Sequence, residues 1–265
     1  MTGLCGISLE LEKLEILDLA DKIDQNVQIN FDLKDQDISL ESGLAGIGLY
    51  FKHKNKRDLV KEISDELKKR WKEINSLKDE DIGLLTGWGG VSLFFWEIGN
   101  KRFAQKILDN ILTERISNEN NLQVNDYSRG FLRVIPYLED GVAGLALLLH
   151  KFMREDTELS LKYKNIYQKM VQSSYNYCTY QASVFSGLSG NLPVAVMQAK
   201  DGDYSLLEYT LDGLNNFLLE NDDGVFIPGR FGYKLELNYY YGSSGLLGML
   251  ELLKDEKKEF SWLPL

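Results

Sequence analysis

Two hydrophobic patterns alternate along the 265 residues of this chain. The first is a nearly unbroken apolar run that starts directly at a pair of glycines three residues apart. Gly3-Leu-Cys-Gly6 opens onto ISLEL, Gly43-Leu-Ala-Gly46 onto IGLYF, and Gly87-Trp-Gly-Gly90 onto VSLFFW. Gly141-Val-Ala-Gly144 opens onto LALLLHK, Gly187-Leu-Ser-Gly190 onto NLPVAVM, and Gly242-Ser-Ser-Gly245 onto LLGMLELL. The second pattern is one-sided. Leu59, Ile63, Leu67 and Trp71 lie four apart within 57–77, with Lys, Glu, Asp and Arg between them. Phe103, Ile107, Ile111 and Leu112 mark such a stripe over 101–116, and Tyr163, Ile166, Met170 and Tyr177 another over 158–177. Leu207, Leu211, Leu214 and Leu218 do the same over 204–219. Segments apolar all round predict buried helices, and one-sided stripes predict helices with one wet face.

The six glycine pairs recur every 40 to 55 residues, and an internal repeat outranks any single local motif. The unit is an apolar inner helix, an amphipathic outer helix and a loop leading to the next glycines. Its repetition predicts an all-α fold with two concentric helix layers, an α/α toroid of helical hairpins. A linear solenoid of helix pairs is the alternative, although its inner helices would normally keep a polar face. The glycines at the inner-helix starts are expected to let neighbouring helices approach and to ease a tight entry turn. A toroid would set those helix starts at one mouth, each offering unpaired N–H groups and about half a positive charge, a setting suited to a developing anion. Strand signal is local: 224–241, GVFIPGRFGYKLELNYYY, reads as a short hairpin or an extended loop. The first repeat begins at residue 3, so the chain reads as one domain over 1–265, truncated at its N-terminus.

Composition narrows the function classes. A net charge of −10 disfavours a general nucleic-acid binder, which needs clustered Lys and Arg on phosphates. No apolar run approaches the roughly 20 residues of a membrane span. MTGLCGISLELEK lacks a basic region followed by an apolar core, so it is not a secretory signal. Cys5 and Cys178 are the two cysteines, too few for a disulfide framework and in keeping with a reducing cytoplasm.

The glycine pairs heading apolar helices, together with RVIPYLEDGVAG and PGRFGYKLELNYYYGSSGLLGML, resemble the lanthionine synthetase C-like family. The resemblance spans essentially the whole chain and is strongest to the C-terminal cyclase domain of class III and IV lanthipeptide synthetases. It implies a kinase and a lyase domain linked to this one, and a precursor peptide as partner. It also implies the reaction: a cysteine thiol adds to dehydroalanine or dehydrobutyrine through an enolate, giving a thioether ring. Zinc-dependent members hold their metal with a Trp-Cys-x-Gly and a Cys-His-Gly motif. Here those positions read Val184-Phe185-Ser186-Gly187 and Tyr240-Tyr241-Gly242, and Asp140 matches a family histidine that precedes a glycine. Phe and Tyr cannot supply the thiolate and imidazole donors zinc takes, so no metal and no other cofactor is expected, as in class III.

Without zinc the thiol needs another means of activation. Asp140 or Glu139 is a candidate base, Tyr137 or Tyr241 a proton donor to the enolate, and Arg133 or Arg230 an anion clamp. Asn238, Tyr240 and Trp88 are candidate substrate contacts, Asn238 standing where family members often carry an aspartate. Each residue also has a structural reading. Glu139 and Asp140 can cap a helix, Arg133 can pair with either, and the tyrosines can simply pack. Cys5 reads as a small buried thiol, and His53 and His150 as residues toward inner-helix ends. Two further functions remain open: a cyclase-like domain that only binds precursor or supports attached domains, and an α/α-toroid glycosidase. The glycosidase would need a carboxylate pair about 5–9 Å apart, and none stands out.

Overall fold

A computed structural model describes residues 3–116, 124–126, 133–175, 179–230 and 234–254. These residues are mostly helical and fall into two compact units, one ending at Glu114 and the other beginning at Arg115. In the first unit lie α1 (Gly3–Lys13), α2 (Leu17–Asn30), α3 (Leu44–His53), α4 (Arg57–Glu73), α5 (Trp88–Glu97) and α6 (Lys101–Glu114). In the second lie α7 (Val142–Glu155), α8 (Thr157–Ser173), α9 (Leu192–Lys200), α10 (Ser205–Asn215) and α11 (Ser243–Lys254). Each odd-numbered helix from α1 to α9 packs against the even-numbered helix after it, so α1 finds its partner in α2. Two small hairpins join them: β1 (Val124–Asp126) with β2 (Arg133–Ile135), and β3 (Leu219–Asn221) with β4 (Gly224–Phe226), both antiparallel. No helix among the described residues is long and apolar enough to cross a membrane.

Four of the five hairpin turns close in the same way. Glu15, Asn55, Gly99 and Gly202 take positive φ of 60°, 57°, 84° and 93°. The next residue's N–H then reaches back five positions: Ile16 to Leu11 O, Lys56 to Phe51 O and Asn100 to Phe95 O at 2.9 Å, and Asp203 to Gln198 O at 3.0 Å. This left-handed cap satisfies carbonyls that the helix end leaves open. Between α7 and α8 the single residue Asp156 does the work instead, its Oδ1 accepting the N–H groups of Glu158 and Leu159. A Cβ at Gly99 would meet nothing within 4 Å, so the cost of Gly99→Ala is purely conformational. Gly99→Ala is expected to lower unfolding free energy by about 1 kcal/mol in urea titration, with an unchanged m-value.

The apolar runs are the buried helices, as their all-round hydrophobicity requires. In α5 every residue from Trp88 to Trp96 is buried, and in α7 every residue from Val142 to Leu149. The amphipathic helices turn one face inward: Ile63 and Leu67 of α4, Ala104, Ile107, Leu108 and Ile111 of α6, and Tyr163 and Met170 of α8. At roughly 1.5–3 kcal/mol per fully buried large side chain, these stripes are the main attachment of each outer helix.

Several expectations need correction. The buried row of α10 is Leu206, Thr210 and Leu214, one position away from Leu207 and Leu211. Thr210 is tolerated there because its hydroxyl donates to Leu206 O at 2.7 Å, so a polar residue holds a core position. The strands of β1 and β2 are three residues each, too short to show an alternating pattern. The β3–β4 hairpin starts at Leu219, ahead of the predicted segment, and turns at Asp222-Asp223. The α4 helix ends at Glu73, with Leu77 in a separate 3-10 turn. Gly3-Leu-Cys-Gly6 lies inside α1, and a Cβ at Gly3 would meet nothing within 4 Å. It is not a helix-heading turn like the other five. Tyr177 and Cys178 lie outside the described residues.

The α1–α2 hairpin is fastened to α3 by polar groups. Asp24 Oδ1 accepts from Ser8 Oγ at 2.5 Å and from the Tyr50 hydroxyl, while Asp24 Oδ2 lies 2.5 Å from Lys54 Nζ. Lys54 also donates to Glu12, and His53 Nε2 lies 3.1 Å from the same carboxylate. Burial would raise the Asp24 pKa, but hydrogen bonds from Lys54, Ser8 and Tyr50 outweigh it and hold the carboxyl below its ordinary value. The Lys54 bond likewise lowers Glu12. Cys5 is buried nearby, and burial with the Asp24 charge pushes its thiol up to about 11. Native protein should therefore leave Cys5 unmodified by iodoacetamide at pH 7.5, and urea should expose it, as mass spectrometry would show.

Candidate functional site

The five helix-heading glycine pairs share one construction. The chain before each helix folds back so that first-turn N–H groups donate to carbonyls seven residues earlier. Leu44, Ala45 and Gly46 donate to Asp37, Ile38 and Ser39, and Trp88, Gly89 and Gly90 to Asp81, Ile82 and Gly83, at 2.8–3.4 Å. Ala143 donates to Pro136 O at 3.2 Å, and Leu188 and Ser243 to Gln181 O and Glu236 O at 3.0 Å. This corrects the expectation of open helix N-termini in part: three donors at each of α3 and α5, and Ala143, Leu188 and Ser243 in the second unit, are spent on the approach turns and closed to an incoming anion. It also corrects the reason for the leading glycines. A Cβ on Gly43, Gly87, Gly141, Gly187 or Gly242 would fall within 2.5 Å of its own approach turn, not of a neighbouring helix.

The second glycine of a pair faces the previous turn as well as its own. A Cβ on Gly90 would sit 2.7 Å from Leu40 Cβ, one on Gly190 3.0 Å from Leu138 Cβ, and one on Gly245 2.9 Å from Val184 Cγ2. Leu40, Leu138 and Val184 each stand three residues before the leading glycine of the preceding pair. Successive approach turns therefore stack. Backbone bonds join them: Leu40 and Glu41 N–H to Leu85 O in the first unit, and Glu139 N–H to Phe185 O at 3.0 Å in the second. Gly46 and Gly144 lie buried within the first turns of α3 and α7.

In the second unit three stacked turns, residues 135–140, 181–186 and 236–241, bring most of the predicted site residues onto one surface. Phe185 lies against Tyr240 with ring centroids 4.6 Å apart, and Tyr240 against Tyr241 at 4.4 Å. The Arg230 guanidinium sits 5.2 Å from the Tyr241 ring centroid. Its backbone is held by Gln181, whose Nε2 donates to Arg230 O at 3.2 Å while its Oε1 accepts from Ser183 and Ser186. The Glu139 backbone N–H bonds to Phe185 O, so its turn adjoins this surface. Tyr137, Glu139, Asp140, Tyr240 and Tyr241 are half-buried and Arg230 is exposed, so the groups stay accessible to a bound molecule. The Asp140 carboxyl keeps one oxygen, Oδ1, shielded from solvent.

Two residues are placed otherwise than expected. Asn238 is a turn residue: its Oδ1 accepts the Tyr241 N–H at 2.7 Å and its Nδ2 donates to Glu236. Both polar ends are committed to the loop. Trp88 is 1% exposed in the first unit, its indole N–H on Glu80 at 3.3 Å and its ring edge-on to Trp71 at 4.9 Å. It has no face to offer a substrate. The Arg133 backbone pairs with Asp126 in the β1–β2 hairpin, and its side chain lies outside the described residues. His150 lies mid-helix in α7, tilted against Tyr167, and burial lowers its pKa below the usual histidine value. Gln181 and Glu236 escaped the sequence reading. A positional signal existed, since each stands six residues before a leading glycine, as do Asp37 and Asp81.

Among the described residues, no three or more His, Cys, Asp or Glu side chains are grouped so as to hold a metal ion. No protein-family model matches the chain, and no curated protein does.

Proposed function

We propose that this chain is a zinc-independent lanthipeptide cyclase whose hairpins close into an α/α toroid. The observation that supports it is the meeting of Phe185, Tyr240 and Tyr241. These are the positions that the family resemblance equates with the three zinc ligands, and their rings lie within 4.6 Å of one another in sequence of contact. In this reading aromatic packing takes the place of the metal site, with the Arg230 guanidinium beside it and Glu139 and Asp140 on the adjoining turn.

In this reading a precursor thiol gives its proton to Glu139 or Asp140, and the sulfur forms a bond to the β-carbon of a dehydroalanine. The alkene electron pair moves to the carbonyl as an enolate, whose charge Arg230 offsets. Tyr241 delivers its hydroxyl proton to the α-carbon, and the carboxylic acid returns its proton to the tyrosinate. The net change adds S–H across the double bond. Arg230 lies over the Tyr241 ring as the cation of this surface, so Arg230→Met is expected to slow ring closure more than either single carboxylate variant. Glu139→Gln and Asp140→Asn separate the two bases: the true one should cost about 100-fold or more in rate. Equal rates in all three variants would remove this mechanism.

The helix N–H donors spent on the approach turns favour a second reading, a non-catalytic domain that binds precursor peptide on the aromatic surface. Peptide binding without thiol consumption would select it.

A further inference from the structure

The α1–α2 hairpin gives the interior almost nothing. Among its described side chains only Cys5, Ser8 and Ala20 are buried. Its aliphatic residues face the other way: Leu4, Ile7, Leu14, Ile16, Leu17 and Leu19 are 46–68% exposed. Along α1 these follow a strict rule. Leu4, Ile7 and half-buried Leu11, with Leu14 one residue past the helix end, are spaced three, four and three apart, the a and d spacing of a heptad. Ile16 and Leu17 add further exposed aliphatic surface where the chain turns into α2. Exposed aliphatics this dense mark an interaction surface on a soluble protein. A heptad stripe fits a helix better than any other partner, since its knobs need the regular holes of a facing helix.

Charge decides which helix. The exposed charged residues of the hairpin are Glu10, Glu15, Asp18 and Asp21 against Lys13 and Lys22. Lys13 lies 2.6 Å from Glu10 and offsets it, which leaves three acids against one lysine, so the hairpin's rim of charge is acidic. A second copy of the chain would bring an identical acidic rim against it, and like charges across a helix pair repel. An anionic membrane surface is disfavoured for the same reason, because interfacial helices carry Lys and Arg beside their apolar face. The polar fastening beneath, Asp24 with Ser8, Tyr50 and Lys54, holds the hairpin without using the stripe. From the heptad spacing and the acidic rim, we infer that the α1–α2 face docks a basic amphipathic helix, with aliphatic residues at its a and d positions and Lys or Arg beside them. This goes beyond the cyclase reading and does not depend on it.

The test titrates the full chain into a fluorescent helical peptide of about 20 residues, with leucine at a and d and lysine at e and g, followed by anisotropy. Saturable binding is expected. It should weaken about tenfold or more in the Ile7→Glu, Leu14→Glu double variant, whose circular dichroism should remain that of the parent. The same peptide with glutamate in place of lysine should bind about tenfold more weakly, and Asp18→Lys with Asp21→Lys should reverse that preference. The inference is overturned by absent binding, by undiminished binding to the Ile7/Leu14 variant, or by equal binding of both peptides. It is also overturned if sedimentation finds a dimer that the same double substitution dissolves, which would make a second copy the occupant.

Discussion

Gly87→Ala is expected to cost about 3 kcal/mol or more of unfolding free energy, against about 1 kcal/mol for Gly99→Ala. Gly87 has extended backbone, φ −139° and ψ −154°, which any residue can adopt, so torsion is not the obstacle. Space is. An added Cβ would fall 2.0 Å from Asp81 O, 2.1 Å from Asp81 C and 2.5 Å from Ile82 N. All three are backbone atoms of the approach turn, and no side chain can swing aside to relieve them. Moving the turn would lengthen the bonds from Trp88, Gly89 and Gly90 to Asp81, Ile82 and Gly83. Those donors are buried, and each left unsatisfied costs about 1–3 kcal/mol. Urea titration checks this; a loss below about 1 kcal/mol would show that the turn yields and does not clamp the helix start.

Asp24→Ala should be nearly as severe, about 3 kcal/mol, because one carboxylate serves three donors. Tyr50 is fully buried, and its hydroxyl would lose this acceptor along with Ser8 and Lys54. Asp24→Asn keeps the shape and should cost less. The network also sets a pH dependence whose sign follows from its shifts. Asp24 and Glu12 have folded pKa values below their ordinary ones, so their contribution is complete above the ordinary carboxylate range of about 4. It is lost as pH falls through the lower folded values. Lys54 is raised by Asp24 and Glu12 against the opposing effect of burial. Its contribution is therefore complete below its ordinary value and is lost as pH rises through the folded one. Thermal melts should show a neutral plateau in the parent and a flatter acid limb in Asp24→Asn. An unchanged acid limb would show that Asp24 carries no linkage.

Much of this architecture was legible in periodicity. The buried helices α3, α5 and α7 are apolar on nearly all sides, and the stripes of α4 and α6 point inward as read, as does that of α8 as far as Met170. The failures have particular causes. Thr210 hides its hydroxyl in its own helix, so counting apolar residues placed the α10 stripe one position off. The α1 segment carries glycines and leucines like the others, but its leucines face solvent, and hydrophobicity alone does not say which face finds a partner. At the site, the aromatic and charged residues before the glycines were visible as a cluster in the sequence. The loss of the helix N–H donors was not, because it depends on each approach turn folding back seven residues. Asn238 and Trp88 read as chemistry because polar and aromatic side chains look alike on paper whether a loop, a core or a ligand claims them.

The most direct test of the central reading incubates the full chain with a peptide bearing one dehydroalanine and one cysteine, then alkylates remaining thiols and weighs the product. Ring closure leaves mass unchanged but removes the alkylation site. The peptide adduct should disappear faster with the protein than in buffer, and Tyr241→Phe should slow this. A peptide that stays fully alkylated beside well-folded protein would contradict it.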